Sequence, residues 1–140
     1  MTVVDLLQDQ RKREEVLTKE YFRHYMKSPF TNNGQLKFVH FDFHRHCKGG
    51  NFENLRLLTD QMSKTMDEYG ALCIDKETGQ VVTRQTGALR INCLDSIDRT
   101  NVAMGALGLK YFGSLLQRNG VNLELEFGES VAKGGLAHST

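Results

Sequence analysis

The sequence predicts an α/β fold in which a mixed sheet is flanked by helices. Two observations predict it. Short apolar or alternating runs of strand length occur at residues 3–7, 36–46, 71–74, 80–84 and 88–93. Between them lie longer stretches with helical periodicity, and strands that alternate with helices argue an α/β architecture. The composition agrees: 140 residues, 39% hydrophobic and 25% charged, are enough for one domain with a core.

The elements follow in order. Val3-Val4-Asp5-Leu6-Leu7 reads as a buried strand. From Lys12 to Met26, Leu17, Tyr21 and Tyr25 recur at four-residue spacing and predict a helix with one apolar edge. Pro29, the single proline, sits in a Ser-Pro-Phe-Thr-Asn-Asn-Gly stretch that reads as a loop. In 36–46, Val39, Phe41 and Phe43 alternate with His40, Asp42 and His44, which predicts a strand. Asn51 is the expected cap of a helix reaching Tyr69, with Leu55, Leu58, Met62 and Met66 as its core stripe and Gly70 as its stop. Residues 71–74 and 80–84 read as a hairpin, and 88–93 as another strand. A helix is expected over 100–117, ended by Asn119-Gly120.

Charge excludes one class of function. Lys plus Arg total 18 and Asp plus Glu 17, a net charge of +1, so no basic excess marks a nucleic-acid binder. Three cysteines, Cys47, Cys73 and Cys93, are too few and odd in number for a disulfide framework and read as free thiols of a reducing compartment. No apolar run reaches the roughly 18 residues of a membrane span, and residues 1–13 do not read as a signal peptide. The chain is therefore expected to be soluble and cytosol-facing.

The informative segment is Arg90-Ile91-Asn92-Cys93-Leu94-Asp95-Ser96-Ile97-Asp98-Arg99-Thr100-Asn101, between a predicted strand and a predicted helix. Five residues separate Cys93 from Arg99. That spacing suits a thiol-based phosphatase: a strand–loop–helix whose backbone N–H groups turn inward makes an anion cradle at a helix N-terminus. Arg99 is placed to hold two phosphate oxygens bidentately, with Cys93 facing phosphorus. An ordinary thiol has a pKa of about 8.5, and helix N-termini and cations lower it, so Cys93 is expected as a thiolate. Thr100 is placed to donate a hydrogen bond to that sulfur. Asp95 is the favoured general acid. Asp98 is the other candidate, or a brace for Arg99.

Residues 85–102 as a whole resemble the signature of the Sac-domain (synaptojanin-type) phosphoinositide phosphatases, R-x-N-C-x-D-x-L-D-R-T-N after a Q-x-G element. Arg90, Asn92, Cys93, Asp95, Asp98, Arg99, Thr100 and Asn101 match. Ser96 stands where a second Cys is common, and Ile97 where Leu is usual. Weaker likeness extends to Val3-Val4-Asp5-Leu6-Leu7, with Asp5 in place of Asn, to Phe41-Asp42-Phe43-His44, and to Asp67-Glu68-Tyr69-Gly70.

The resemblance implies a Cys-based phosphatase core that removes a monophosphate from the inositol ring of a lipid through a phosphocysteine. It implies Asn92, Leu94, Ser96, Ile97, Thr100 and Arg90 around the substrate, with Arg90 either facing it or pairing with an acid at the sheet edge. No metal or cofactor enters that scheme. The expected partners are a phosphoinositide and an anionic membrane surface, met on the cytosolic face of endomembranes. Arg45, Lys48 and Arg84 are candidate contacts with that surface. No nucleic acid or particular protein partner is indicated. A Sac domain is much longer, so residues 1–127 are expected to be a partial catalytic domain without its N-terminal subdomain, weak as an isolated enzyme. Residues 128–140 are expected to form a poorly ordered tail. Two other readings compete: a zinc site from His40, His44 and His46 on one strand face with Cys47 close by, and an inactive phosphoinositide-binding scaffold.

Overall fold

The computed structural model describes residues 1–121. The expected tail at 128–140 lies outside them. At the centre is strand β1 (Thr2–Asp5), all four residues buried. Strand β2 (Lys37–His40) and, after the elements between, strand β5 (Leu89–Asn92) pair with it on either side, both parallel. Val4 faces Val39 and Ile91 across the ladder; Asp5 faces His40 and Asn92. A central parallel strand is covered on both faces, which explains why β1 and the residues after it read as a continuous apolar run.

Parallel pairing requires crossovers. The first is helix α1 (Lys12–Lys27), with Glu14 and Glu15 in its first turn and His24 and Lys27 in its last, as the helix dipole favours. It ends at Ser28, whose hydroxyl accepts from the Phe30 amide and starts a single turn, α2 (Pro29–Asn32). The proline segment expected as a loop is thus partly helical, because proline suits a first helical position. Phe38 of β2 meets Tyr21, Phe22 and Tyr25 of α1 at ring-centroid distances of 6.1, 5.6 and 5.7 Å. Its neighbour Val39 packs against the opposite core, where β1 and β5 meet helix α4 (Leu55–Tyr69) and helix α5 (Asp98–Arg118). Helix α1 therefore covers one face of the sheet, and α4 and α5 cover the other.

Other expectations change as well. The strand predicted over 36–46 stops at His40, and helix α3 (Phe43–His46) follows. Asp42 causes the switch: its carboxylate accepts from the Arg45 amide at 2.9 Å and caps the turn. Phe41 and Phe43 are still buried, so the alternation marked burial correctly and the element wrongly. Helix α4 begins at Leu55 rather than beside Asn51, after two 3₁₀ turns, and Asn54 donates its amide to the His46 carbonyl at 2.7 Å.

The mixed sheet is in fact two sheets. Strands β3 (Cys73–Ile74) and β4 (Val81–Thr83) pair antiparallel with each other and not with β5. Every residue of both strands is exposed, so no buried face holds them against the parallel sheet. Their loop is organised by Asp75, whose Oδ1 accepts from the Thr78 amide, the Thr78 hydroxyl and the Glu77 amide.

Candidate active site

The strand order β2-β1-β5 sets the site. The chain leaves β1 for α1 on one face and leaves β5 for α5 on the other. In open parallel sheets such a divergence opens a crevice at the carboxyl ends of the strands. Here those ends are Asp5 and Asn92, and the ladder continues as the Leu6 amide bonds the Asn92 carbonyl at 2.9 Å.

Cys93 follows immediately. It is buried, and its sulfur accepts the Thr100 hydroxyl at 3.4 Å. The thiol also donates to Asp95 Oδ1 at 3.4 Å, and the same oxygen accepts from the Ile97 amide at 3.1 Å. These contacts fold 93–97 tightly, with Ser96 at φ 56°, a left-handed conformation that costs an L-residue roughly 1–2 kcal/mol. Helix α5 then starts at Asp98 without a side-chain cap, leaving its first-turn amides free of one. The Asp95 carboxyl lies below the ordinary carboxylate range, held there first by the Ile97 amide, then by the Cys93 thiol, with the Arg99 charge adding to both.

Arg99 sits in the first turn of α5 and donates Nη1 to Glu14 Oε2 at 2.8 Å. Glu14 is 1% exposed. The same Oε2 accepts the Gln8 amide at 2.9 Å, and Oε1 accepts Arg11 at 3.3 Å. Burial pushes the Glu14 carboxyl up, but hydrogen bonds from Arg99 and Gln8, with the Arg99 charge, outweigh it and hold the group ionised. Arg99 is correspondingly raised: burial opposes its charge, while Glu14, Cys93 and Asp95 favour it.

A second carboxylate cluster lies at the ends of β1 and β2. Asp5 is fully buried and accepts the Thr18 hydroxyl at 2.7 Å and the Leu7 amide at 3.2 Å. His40 bridges Asp5 Oδ2 at 3.3 Å and Asp9 Oδ1 at 2.8 Å. The Asp5 hydrogen bond raises the His40 pKa against burial, and Asp9 adds to it.

The sequence-predicted residues thus divide. Asp95 and Thr100 both contact Cys93, and Arg99 shares the first turn of α5 with Thr100. Asn92 is half-buried, and its Oδ1 is enclosed with no partner. Leu94, Ser96, Ile97, Asp98 and Arg90 are exposed. Arg90 makes no ion pair among the described residues, and the carboxylate on Arg99 is Glu14 rather than Asp98. Arg45, Lys48 and Arg84 are exposed. The histidines of the zinc reading share no strand face: His40 ends β2, while His44 and His46 lie on α3, with His46 stacked on Phe41.

Sequence reading missed Glu14, and it considered His40 only as a metal ligand, not as the partner of Asp5 and Asp9. Two acids in a first helical turn look alike on paper, and nothing in the local pattern separates the buried Glu14 from the exposed Glu15. A recess of about 250 Å³ also opens between α4, β5 and α5, lined by Met66, Tyr69, Leu89, Met104, Leu107 and Tyr111 among others. None of residues 93–99 lines it, so it lies apart from the sulfur and the arginine.

The chain thus brings a thiol at a strand's carboxyl end, a hydroxyl on its sulfur and an arginine in the following helical turn into one part of an α/β fold. Comparison with known proteins gives the family. Residues 1–48 match the family model of the SacI homology domain. The chain is 36% identical over 119 residues to human phosphatidylinositide phosphatase SAC2, covering 85% of this chain and 10% of that protein. It is 36% identical over 115 residues to Arabidopsis thaliana phosphoinositide phosphatase SAC8, covering 82% and 18%. It is 38% identical over 89 residues to Danio rerio phosphatidylinositol-3-phosphatase SAC1-A, covering 64% and 15%. The chain belongs to the Sac phosphoinositide phosphatase family and spans between a tenth and a fifth of the length of these relatives.

Proposed function

We propose that this chain carries the catalytic centre of a phosphoinositide phosphatase acting through a phosphocysteine at Cys93. The observation that carries the reading is the Thr100 hydroxyl on the Cys93 sulfur, one residue beyond Arg99, at the uncapped start of α5. The relatives are named for phosphatase activity on phosphoinositides.

In this reading a phosphomonoester enters above Cys93. The incoming dianion raises the pKa of Asp95, which then takes the proton that the thiol already directs at its Oδ1. The sulfur, now a thiolate, attacks phosphorus. The P–O bond to the inositol breaks, and the departing oxygen takes the proton from Asp95. Arg99 and the first amides of α5 stabilise the equatorial oxygens of the transition state. Asp95 then deprotonates a water, which attacks the phosphocysteine. The S–P bond breaks, and the Thr100 hydrogen bond stabilises the thiolate that leaves. Membrane contact falls to the exposed Leu94 and Ile97 beside the site, with Arg45, Lys48 and Arg84 supplying positive charge. Among the described residues no helix is long and apolar enough to cross a membrane.

The test is phosphate release from a short-chain phosphoinositide by the chain and by Cys93→Ser, Asp95→Asn and Asp98→Asn. Cys93→Ser is expected to abolish release. Asp95→Asn is expected to remove the acid limb of the pH profile for a poor leaving group, with Asp98→Asn keeping it. Release by Cys93→Ser equal to that of the parent chain defeats the reading, and the converse pattern moves the acid role to Asp98.

A further inference from the structure

Glu14 contacts both the β1–α1 connection and Arg99, the arginine that follows the Cys93 loop. It is 1% exposed, and a carboxylate is left this deep only where partners replace its water. Oε2 is shared between the Gln8 amide at 2.9 Å and Arg99 Nη1 at 2.8 Å, while Oε1 accepts Arg11. The Glu14 amide itself bonds the Arg11 carbonyl at 2.8 Å. The carboxylate is therefore tied to backbone at Gln8, and the residue's own amide is tied to Arg11, both outside the Cys93 loop.

We infer that Glu14 is a positioning residue for phosphoryl transfer: it clamps one edge of the Arg99 guanidinium so that the other edge is presented to the phosphate. Guanidinium is a planar fork with five N–H donors. A single bond through Nη1 to Glu14 leaves the Nε–Nη2 edge for two parallel bonds to phosphate oxygens. An arginine on an exposed helix turn would lose rotamer freedom on each binding event. The bond to Glu14 restricts that freedom in advance, because Glu14 is itself held by the amide of Gln8 in the connection that follows β1. The inference rests on the phosphatase reading of Cys93 and Arg99, and adds to it a residue from the far side of the sheet.

The sign of one substitution decides it. Glu14→Gln removes a negative charge beside an anion site while keeping shape and one acceptor. If Glu14 only neutralises or sequesters Arg99, losing that charge tightens phosphate binding. If Glu14 aims Arg99, the same change weakens it. Inorganic phosphate is the probe, read as protection of Cys93 from alkylation by iodoacetamide, with each cysteine peptide quantified by mass. Glu14→Gln is expected to raise the half-protecting phosphate concentration about tenfold, the scale of one charge-assisted hydrogen bond. Glu15→Gln, an exposed neighbour paired with Lys19, is expected to change it less than about twofold. The buried Cys47 reports folding, and its alkylation rate is expected to stay low in both variants.

Unchanged or tighter protection in Glu14→Gln overturns the positioning role and leaves the phosphatase reading standing. No protection in the parent chain defeats that reading and this inference together. Should Glu14→Gln not fold, the parent chain decides by NMR of its arginine side chains. A clamped Arg99 shows separate Nη resonances from hindered rotation, assigned by their loss in Arg99→Lys. Averaged resonances for Arg99 contradict the clamp.

Discussion

Arg99 Nη1 and Glu14 Oε2 lie 2.8 Å apart across a sequence separation of 85 residues. The pair joins the first turn of α1 to the first turn of α5, on opposite faces of the sheet. It also makes the proposed phosphate-binding side chain part of the fold's stability.

Arg99→Ala follows from that coupling. It leaves Glu14 buried with the Gln8 amide and Arg11 but without its strongest charge partner. Removing one member of a buried pair is costly, and with Arg99 partly exposed the expected loss is about 2–3 kcal/mol. Urea unfolding of the chain and the variant measures it. A midpoint unchanged at equal slope speaks against the pair.

Thr100→Val keeps shape and removes the hydroxyl from the Cys93 sulfur. The step that expels sulfur as a thiolate is expected to slow about tenfold, with attack on the first phosphate less affected. Rapid-quench kinetics should then show a burst of product followed by a slow phase. Equal slowing of burst and steady state would place the hydroxyl outside the second step.

His40 gives a pH signature of opposite sign to the carboxylates. Its folded pKa is raised above 6.5 by Asp5 and Asp9. The stabilisation is therefore complete below about 6.5 and is lost as pH rises through the folded pKa. Chemical unfolding between mildly acidic and mildly alkaline pH should show stability falling over that window. His40→Asn should flatten the fall, and a variant with the same slope as the parent would assign it elsewhere.

Gly87→Ala tests the approach of the Q-x-G element to α4. A Cβ there would run into the Tyr69 ring, whose hydroxyl bonds Thr2 at 2.7 Å. The ring has to move and that bond has to break, for an expected loss of about 1–3 kcal/mol. Thermal unfolding reads it directly, and Gly87→Ala with Tyr69→Leu should recover part of the loss. A neutral Gly87→Ala would mean the ring yields freely.

The sequence made some of this legible and hid the rest for physical reasons. Periodicity located β1, α1, α4 and α5, because each buries a stripe or a run against the core. It misread 43–46, where Asp42 ends the strand with one hydrogen bond that hydrophobic alternation does not encode. The hairpin was visible, but its separation from the parallel sheet was not, since pairing partners depend on tertiary burial. At the site, Cys93, Asp95 and Thr100 are close in sequence, and their contact follows from one tight turn. Glu14 reaches the same place from another element and carried no local mark. The Asp5–His40 bond likewise spans two parallel strands in register, a pairing no single stretch announces.

The most direct test of the central claim is acid-quenched capture of the phosphoenzyme. The chain is mixed briefly with a phosphoinositide labelled in its ring phosphates, denatured and digested, and each cysteine peptide is assayed for phosphate. The account predicts label on the Cys93 peptide, more of it in Thr100→Val and none in Cys93→Ser. Substrate turnover with the Cys93 peptide unlabelled in both the parent chain and Thr100→Val, or label that persists in Cys93→Ser, would contradict it.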